Sequence, residues 1–163
     1  MIAAVNDYGV YQFDFEYRKM MPVIRQRITT FYNEDFAPGT HPLHHELEKQ
    51  INEYFSGERT CFDLRVKLAG SVFQQKVWEN LMEIPFGRTR TYKQQAQLFG
   101  NEKAIRAIAG ANGANTHAII IPCHRVIGAN GALTGYAGGL SGKKWLLDHE
   151  LSHSNVNVQS SLF

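Results

Sequence analysis

The chain has 163 residues, 44% hydrophobic and 20% charged. That is enough to bury a core, which excludes long-range disorder, and no apolar run approaches the roughly 18 residues a membrane span needs. The net charge of +2 is unevenly spread: residues 1–65 hold 7 Lys/Arg against 10 Asp/Glu, and residues 66–163 hold 10 against 5, so the second part is the candidate for meeting a polyanion.

Two cysteines, Cys61 and Cys123, make a poor disulfide framework, and MIAAVNDYGV at the N-terminus has no basic segment followed by a long apolar one. A reduced, cytoplasmic protein is expected.

In chain order, MIAAV and VYQFDFEY read as two short strands around the turn Asn6-Asp7-Tyr8-Gly9. Leu43, Leu47, Ile51 and Tyr54 recur at helical spacing between Pro42 and Phe55. Phe62, Leu64, Val66 and Leu68 alternate with Asp63, Arg65 and Lys67, which predicts a half-buried strand. Together these form an α+β subdomain over 1–69.

A second domain is expected over 70–152 and a polar tail over 153–163. Ser71 and Gln74 have capping-box spacing before a helix through Phe73, Val77, Trp78 and Leu81. Thr91 can cap a helix through Tyr92, Ala96 and Leu98, and Asn101 another through Ile105, Ile108 and Ala109. Two short helices around a Gly-Asn turn suggest a helix-turn-helix. AIII at 118–121 reads as a short buried strand or extended segment, Gly-rich turns follow, and a last helix spans about Ser141 to Glu150.

The chemistry concentrates at Pro122-Cys123-His124-Arg125. A thiol becomes a nucleophile when a helix N-terminus, an adjacent histidine or a cation stabilises its thiolate, and all three can meet here. The plain alternative is an inert buried cysteine beside a hydrogen-bonded turn histidine. A histidine base needs a third group to hold its ring, and the carboxylates downstream are Asp148 and Glu150; spacing does not choose between them.

PCHRV at 122–126, YAGGL at 136–140, KKWLLDHE at 143–150, FGRTRTY at 86–92 and KAIRAIAGAN at 103–112 together resemble the O6-alkylguanine-DNA alkyltransferases, the single-turnover methylated-DNA-protein-cysteine methyltransferases. The resemblance implies a small ribonuclease-H-like N-terminal subdomain and a mostly helical C-terminal domain containing the helix-turn-helix. It implies that Cys123 accepts the alkyl group, that His124 relays the thiol proton through a water, and that Glu150 orients His124. Asn115 would brace the active-site turn, and Tyr92 would lie near the guanine and donate to the departing base. Tyr136, with Ala137 and Gly138, would form the pocket over the base.

Arg106 would fill the stack left by the flipped nucleotide, with Ala104, Ala107, Gly110 and Ala111 of the same helix against the minor groove and Tyr92 and Arg125 as further DNA contacts. Without the resemblance, Arg106 reads as a phosphate contact or a solvated arginine, Tyr136 as a core aromatic, and the small residues as ordinary helix packing.

The implied activity is repair of O6-alkylguanine, and of O4-alkylthymine, in double-stranded DNA, by a monomer without cofactor, metal or membrane contact that can bind DNA cooperatively. Ala137 replaces a serine of some members, and Thr116-His117-Ala118 stands where some carry prolines, so small alkyl groups are the expected substrates. His41, His44 and His45, with Cys61 alone, make a poor zinc site. Two rivals are a non-enzymatic alkyltransferase-like lesion-binding protein, which replaces the cysteine, and a Cys-His hydrolase, which leaves the helix-turn-helix without a purpose.

Overall fold

A computed structural model describes residues 1–154. Strands β1 (Ile2–Asn6) and β2 (Gly9–Asp14) form an antiparallel hairpin with a register shift at Ala4/Val5. Its turn is the expected one, with Asn6 Oδ1 accepting from the Tyr8 N–H at 2.8 Å.

Helix α1 (Met21–Tyr32) follows, seated by Met21, Ile24 and Ile28 on one face and closed by Asn33 in the left-handed conformation at φ 54°. Pro22 lies in its first turn, where the missing N–H costs nothing, and the β-branched Ile28-Thr29-Thr30 run lowers helix propensity, so the packing of that face decides.

Helix α2 (Pro42–Phe55) begins where expected. His41 and His44 form its capping box: the His41 ring accepts from Leu43 N–H and the His44 ring from His41 N–H, both at 3.1 Å. Among the described residues no cluster of three or more His, Cys, Asp or Glu could hold a metal ion.

The predicted strand at Phe62–Leu68 is corrected to an extended segment. It makes only an isolated bridge, Val10 to Val66, and its apolar side chains pack on the core without a continuous ladder. Of the ribonuclease-H-like expectation, the described residues hold a two-stranded hairpin, this bridge and two helices.

The capping box expected at Ser71 starts α3 (Val72–Met82), and the cap expected at Thr91 starts α4 (Tyr92–Leu98), where Gln94 completes a second box. Asn101 caps a 3-10 turn at Glu102–Ala104 that leads into α5 (Ile105–Gly113). Val77 of α3, Ala96 of α4, and Ile108 and Ala111 of α5 share one apolar cluster.

Two-residue strands β3 (Arg90–Thr91) and β4 (Val126–Ile127) pair in parallel, and this ties the start of α4 to the chain just past Cys123. The last helix, α6 (Gly139–Ser154), is longer than expected at both ends. It contains the first two residues assigned to the polar tail, and the rest of that tail lies outside the described residues. No described helix is long and apolar enough to cross a membrane.

Tyr11, Ile24 and Ile28 cluster within residues 1–69, and a further cluster crosses the expected domain boundary. Val10, Phe13, Leu47, Ile51 and Tyr54 pack with Ile119, Ile120 and Leu146 in one cluster.

Candidate active site

Residues 118–123 form not a strand but two tight turns. Ile120 N–H reaches Ala118 O at 2.8 Å around Ile119, whose φ is +71°, and Cys123 N–H reaches Ile121 O at 2.8 Å around Pro122. The second has inverse γ-turn angles, φ −82° and ψ 60°. A β-branched residue at positive φ is strained, and burial of Ile119, Ile120 and Ile121 holds it there. The outcome is a half-buried Cys123 at the head of a one-turn 3-10 helix, Cys123–Arg125, with its own N–H already paired.

Asn115 braces this turn. Its amide N–H groups reach Ile121 O at 2.9 Å and Cys123 Sγ at 3.3 Å, while its Oδ1 accepts from His117 N–H at 2.9 Å. Burial pushes the Cys123 thiol up; the Asn115 hydrogen bond, Lys143 and Arg18 pull it back, and Asp14 adds to the rise.

Glu150 is fully buried, and five donors converge on it: Tyr54 O–H at 2.8 Å, His124 Nε2 at 2.7 Å, Arg125 Nε and Nη2 each at 2.9 Å, and Gly87 N–H at 3.1 Å. Burial alone would raise its pKa, but the His124 and Arg125 hydrogen bonds and charges bring it down to about 2. An ionised carboxylate only accepts, so His124 carries its proton on Nε2 and leaves Nδ1 as a lone-pair acceptor. Nδ1 is buried with no protein partner among the described residues, and burial keeps the ring pKa below its ordinary value. A neutral imidazole with a free basic nitrogen, next to a thiol, is the arrangement a proton acceptor needs.

This geometry chooses Glu150 over Asp148, which is exposed and pairs with Lys144 at 2.5 Å. Gly87 is required at its position: its φ is +69°, and a Cβ there would lie 2.6 Å from Ser154 Cβ.

Arg125 is a correction. Expected among the DNA contacts, it is buried, with its guanidinium spent on Glu150 and on Ile84 O at 2.6 Å. Ala111 is a second correction, since it faces the α3–α4 cluster. Arg106, Ala107 and Gly110 are exposed on α5, and Ala104 is half-buried.

A cavity of about 800 Å³ joins Cys123 and Asn115 to Tyr92, Tyr136, Ala137 and Gly138, and reaches Arg106 and Ala109 on α5. The β3–β4 pairing brings Tyr92 to its wall, and burial raises the Tyr92 pKa so that its hydroxyl stays a donor. Tyr136 packs edge-on against Phe15 at 5.7 Å and His124 at 6.1 Å. Gly138 has no room for a side chain, since a Cβ would lie 2.6 Å from the Phe15 ring.

Sequence reasoning missed Tyr54, Lys143 and Arg18. Lys143 is fully buried, with Nζ donating to Thr134 O at 2.8 Å and Val126 O at 2.5 Å. Its place in KKWLLDHE was the available signal; Tyr54 and Arg18 reach the site from the N-terminal segment and had none.

Residues 72–152 match the family model described as the DNA-binding domain of 6-O-methylguanine DNA methyltransferase. The methylated-DNA–protein-cysteine methyltransferase of Methanosarcina acetivorans is 53% identical over 105 residues, covering 64% of this chain and 67% of that protein. The protein of the same name from Mycobacterium bovis is 52% identical over 109 residues, covering 67% and 66%. The crystal structure of Mycobacterium tuberculosis OGT in complex with DNA aligns at a TM-score of 0.77 and 38% identity, covering 93% of this chain and 86% of that one. The chain belongs to the methylated-DNA–protein-cysteine methyltransferase family.

Of the two cysteines, Cys123 is half-buried at this cavity and Cys61 is exposed.

Proposed function

We propose that this methyltransferase removes alkyl groups from O6 of guanine, and from O4 of thymine, in double-stranded DNA by taking them onto Cys123 once. The observation that carries the reading is the cavity in which Cys123, Asn115, Tyr92 and Tyr136 meet beside the exposed face of α5. In the reaction the Cys123 proton passes, through a water, to His124 Nδ1, and the thiolate sulfur attacks the alkyl carbon. The S–C bond forms as the C–O6 bond breaks, and guanine leaves as an anion stabilised by a hydrogen bond from the Tyr92 hydroxyl; the proton held on His124 passes to solvent and guanine takes one up from solvent. Donors placed where that charge develops lower the barrier. A thioether has no hydrolytic exit here, so one turnover consumes the protein.

A base in a duplex must be rotated out to enter such a cavity, at a cost of a few kcal/mol. We read α4 and α5 as the helix-turn-helix, with Arg106 filling the stack and Ala104, Ala107 and Gly110 letting α5 approach the minor groove, where readout is nearly sequence-blind. The protein acts as a cytoplasmic monomer without cofactor, with residues 1–69 as the N-terminal subdomain. Cys123 with its His124–Glu150 pair favours transfer over a binding-only, alkyltransferase-like role.

The test is a titration of duplex DNA containing O6-methylguanine. One lesion is lost per protein, and Arg106→Ala slows repair of duplex far more than reaction with free O6-methylguanine. Repeated turnover, binding without lesion loss, or equal slowing on both substrates contradicts the reading.

A further inference from the structure

The last carbonyls of a helix have no intrahelical partners and carry the negative end of its dipole. At the end of α5 these groups are met by arginines from the N-terminal segment. Arg18 donates from Nη2 to Gly113 O and from Nη1 to Asn115 O at 2.6 Å, and Arg27 Nη2 donates to Ala114 O at 2.7 Å. Three successive carbonyls are thus held by two guanidinium groups.

Arg18 is itself fixed, buried against the carboxylate of fully buried Asp14. Arg27 lies over the Trp78 ring at 5.6 Å, and Trp78 Nε1 donates to Ala111 O at 2.7 Å. Just past the clamp, β2 holds the chain on its other side: Phe13 N–H meets Thr116 O at 2.9 Å, and Ala118 N–H meets Phe13 O at 2.7 Å. Asn115 sits between these attachments, and its amide is the group that reaches Cys123 Sγ.

We propose that Arg18, seconded by Arg27, is a positioning residue for Cys123: it fixes Gly113–Asn115 so that the Asn115 amide meets the sulfur. The proposal rests on the reading of Cys123 as the reacting thiol. The N-terminal segment thereby sets the reactivity of a centre carried by the C-terminal one. Lysine cannot replace the arginine, because only a planar fork reaches two carbonyls and a carboxylate at once.

The charged and titratable groups around the thiol are Lys143 of α6, Arg18 and Asp14 of the N-terminal segment, Tyr92 of α4, Tyr136 and its neighbour His124, with Tyr17, Lys19 and Arg106 of α5 lining the same cavity. A pH profile therefore has to separate positioning from bare charge, which Arg18→Lys does by keeping the charge and losing the fork.

The experiment uses the full chain in a Cys61→Ser background and measures the rate of Cys123 alkylation by iodoacetamide against pH. Arg18→Met and Arg18→Lys both raise the thiol midpoint by about one pH unit, read as roughly tenfold slower alkylation at neutral pH. In Asn115→Ala, Arg18→Lys, which keeps the charge, does not change the rate further. A wild-type profile in Arg18→Lys, or a loss in Arg18→Lys that multiplies with that of Asn115→Ala, overturns the proposal.

Arg27→Gln, at a half-buried site, shifts the profile the same way by less; an unchanged profile there overturns the proposal where the Arg18 variants do not fold. Iodoacetamide reads the thiol without methylated DNA, so failure of methyl transfer and failure of this proposal are distinguishable.

Discussion

Tyr54 donates to the same Glu150 oxygen that holds the His124 proton, so Tyr54→Phe and Glu150→Gln make a graded pair. Tyr54→Phe removes one of several donors and costs about 1 kcal/mol, with His124 still oriented and transfer slowed only a few-fold. Glu150→Gln leaves Arg125 buried without its counter-charge, at a cost of about 3–5 kcal/mol, and removes the anion that keeps the proton on Nε2. Denaturant melts and single-turnover rates of the two variants check this ordering; equal effects would contradict it.

His117 gives a pH dependence. It is fully buried, with a ring nitrogen 2.9 Å from Val10 O, and burial lowers its pKa from 6.5 to about 4. Between those values the unfolded chain binds the proton and the folded one does not. The His117 contribution is therefore complete above pH 6.5 and lost as pH falls toward 4, on the order of 3 kcal/mol. Urea midpoints from pH 7 to 4 should fall in wild type and flatten over that window in His117→Gln. Glu150 acts lower, its stabilisation present above the ordinary carboxylate range and lost as pH falls toward 2.

At the scale of elements, α5 divides its residues between two surfaces. Ile108 and Ala111 face the α3–α4 cluster, while Arg106, Ala107 and Gly110 face outward. Gly110 has nothing within 4 Å of an added Cβ, so Gly110→Ala should stabilise the helix by roughly 0.5–1 kcal/mol. Ala107→Glu should leave the melting temperature unchanged and weaken DNA binding, because it sets an anion against phosphates on the exposed face. Unaltered binding by Ala107→Glu would move the DNA contact off this face.

The caps at Ser71, Thr91 and Asn101 were legible because capping depends on neighbours in sequence. The 118–123 turns were not, because an apolar run carries no sign of whether it extends or folds back. Nor was the inward turn of Arg125, whose partner lies 25 residues away.

Across the whole molecule, the boundary near residue 70 marks a change of sequence pattern that part of the core crosses. The cluster joining Leu47, Ile51 and Tyr54 to Ile119, Ile120 and Leu146 runs across it, as do the hydrogen bonds of Tyr54, Arg18 and Arg27. Contacts between residues so far apart leave no periodic trace, so Cys123, His124 and Asn115 could be named from their motifs while the N-terminal residues that hold them could not. The chemistry proposed for Cys123 is that it accepts the alkyl group and keeps it. Its most direct test is the mass of the Cys123 peptide after one equivalent of duplex DNA containing O6-methylguanine. One methyl group is expected on Cys123 in every active molecule, absent from Cys123→Ala; an unmodified peptide after the lesion has gone would rule out transfer to Cys123.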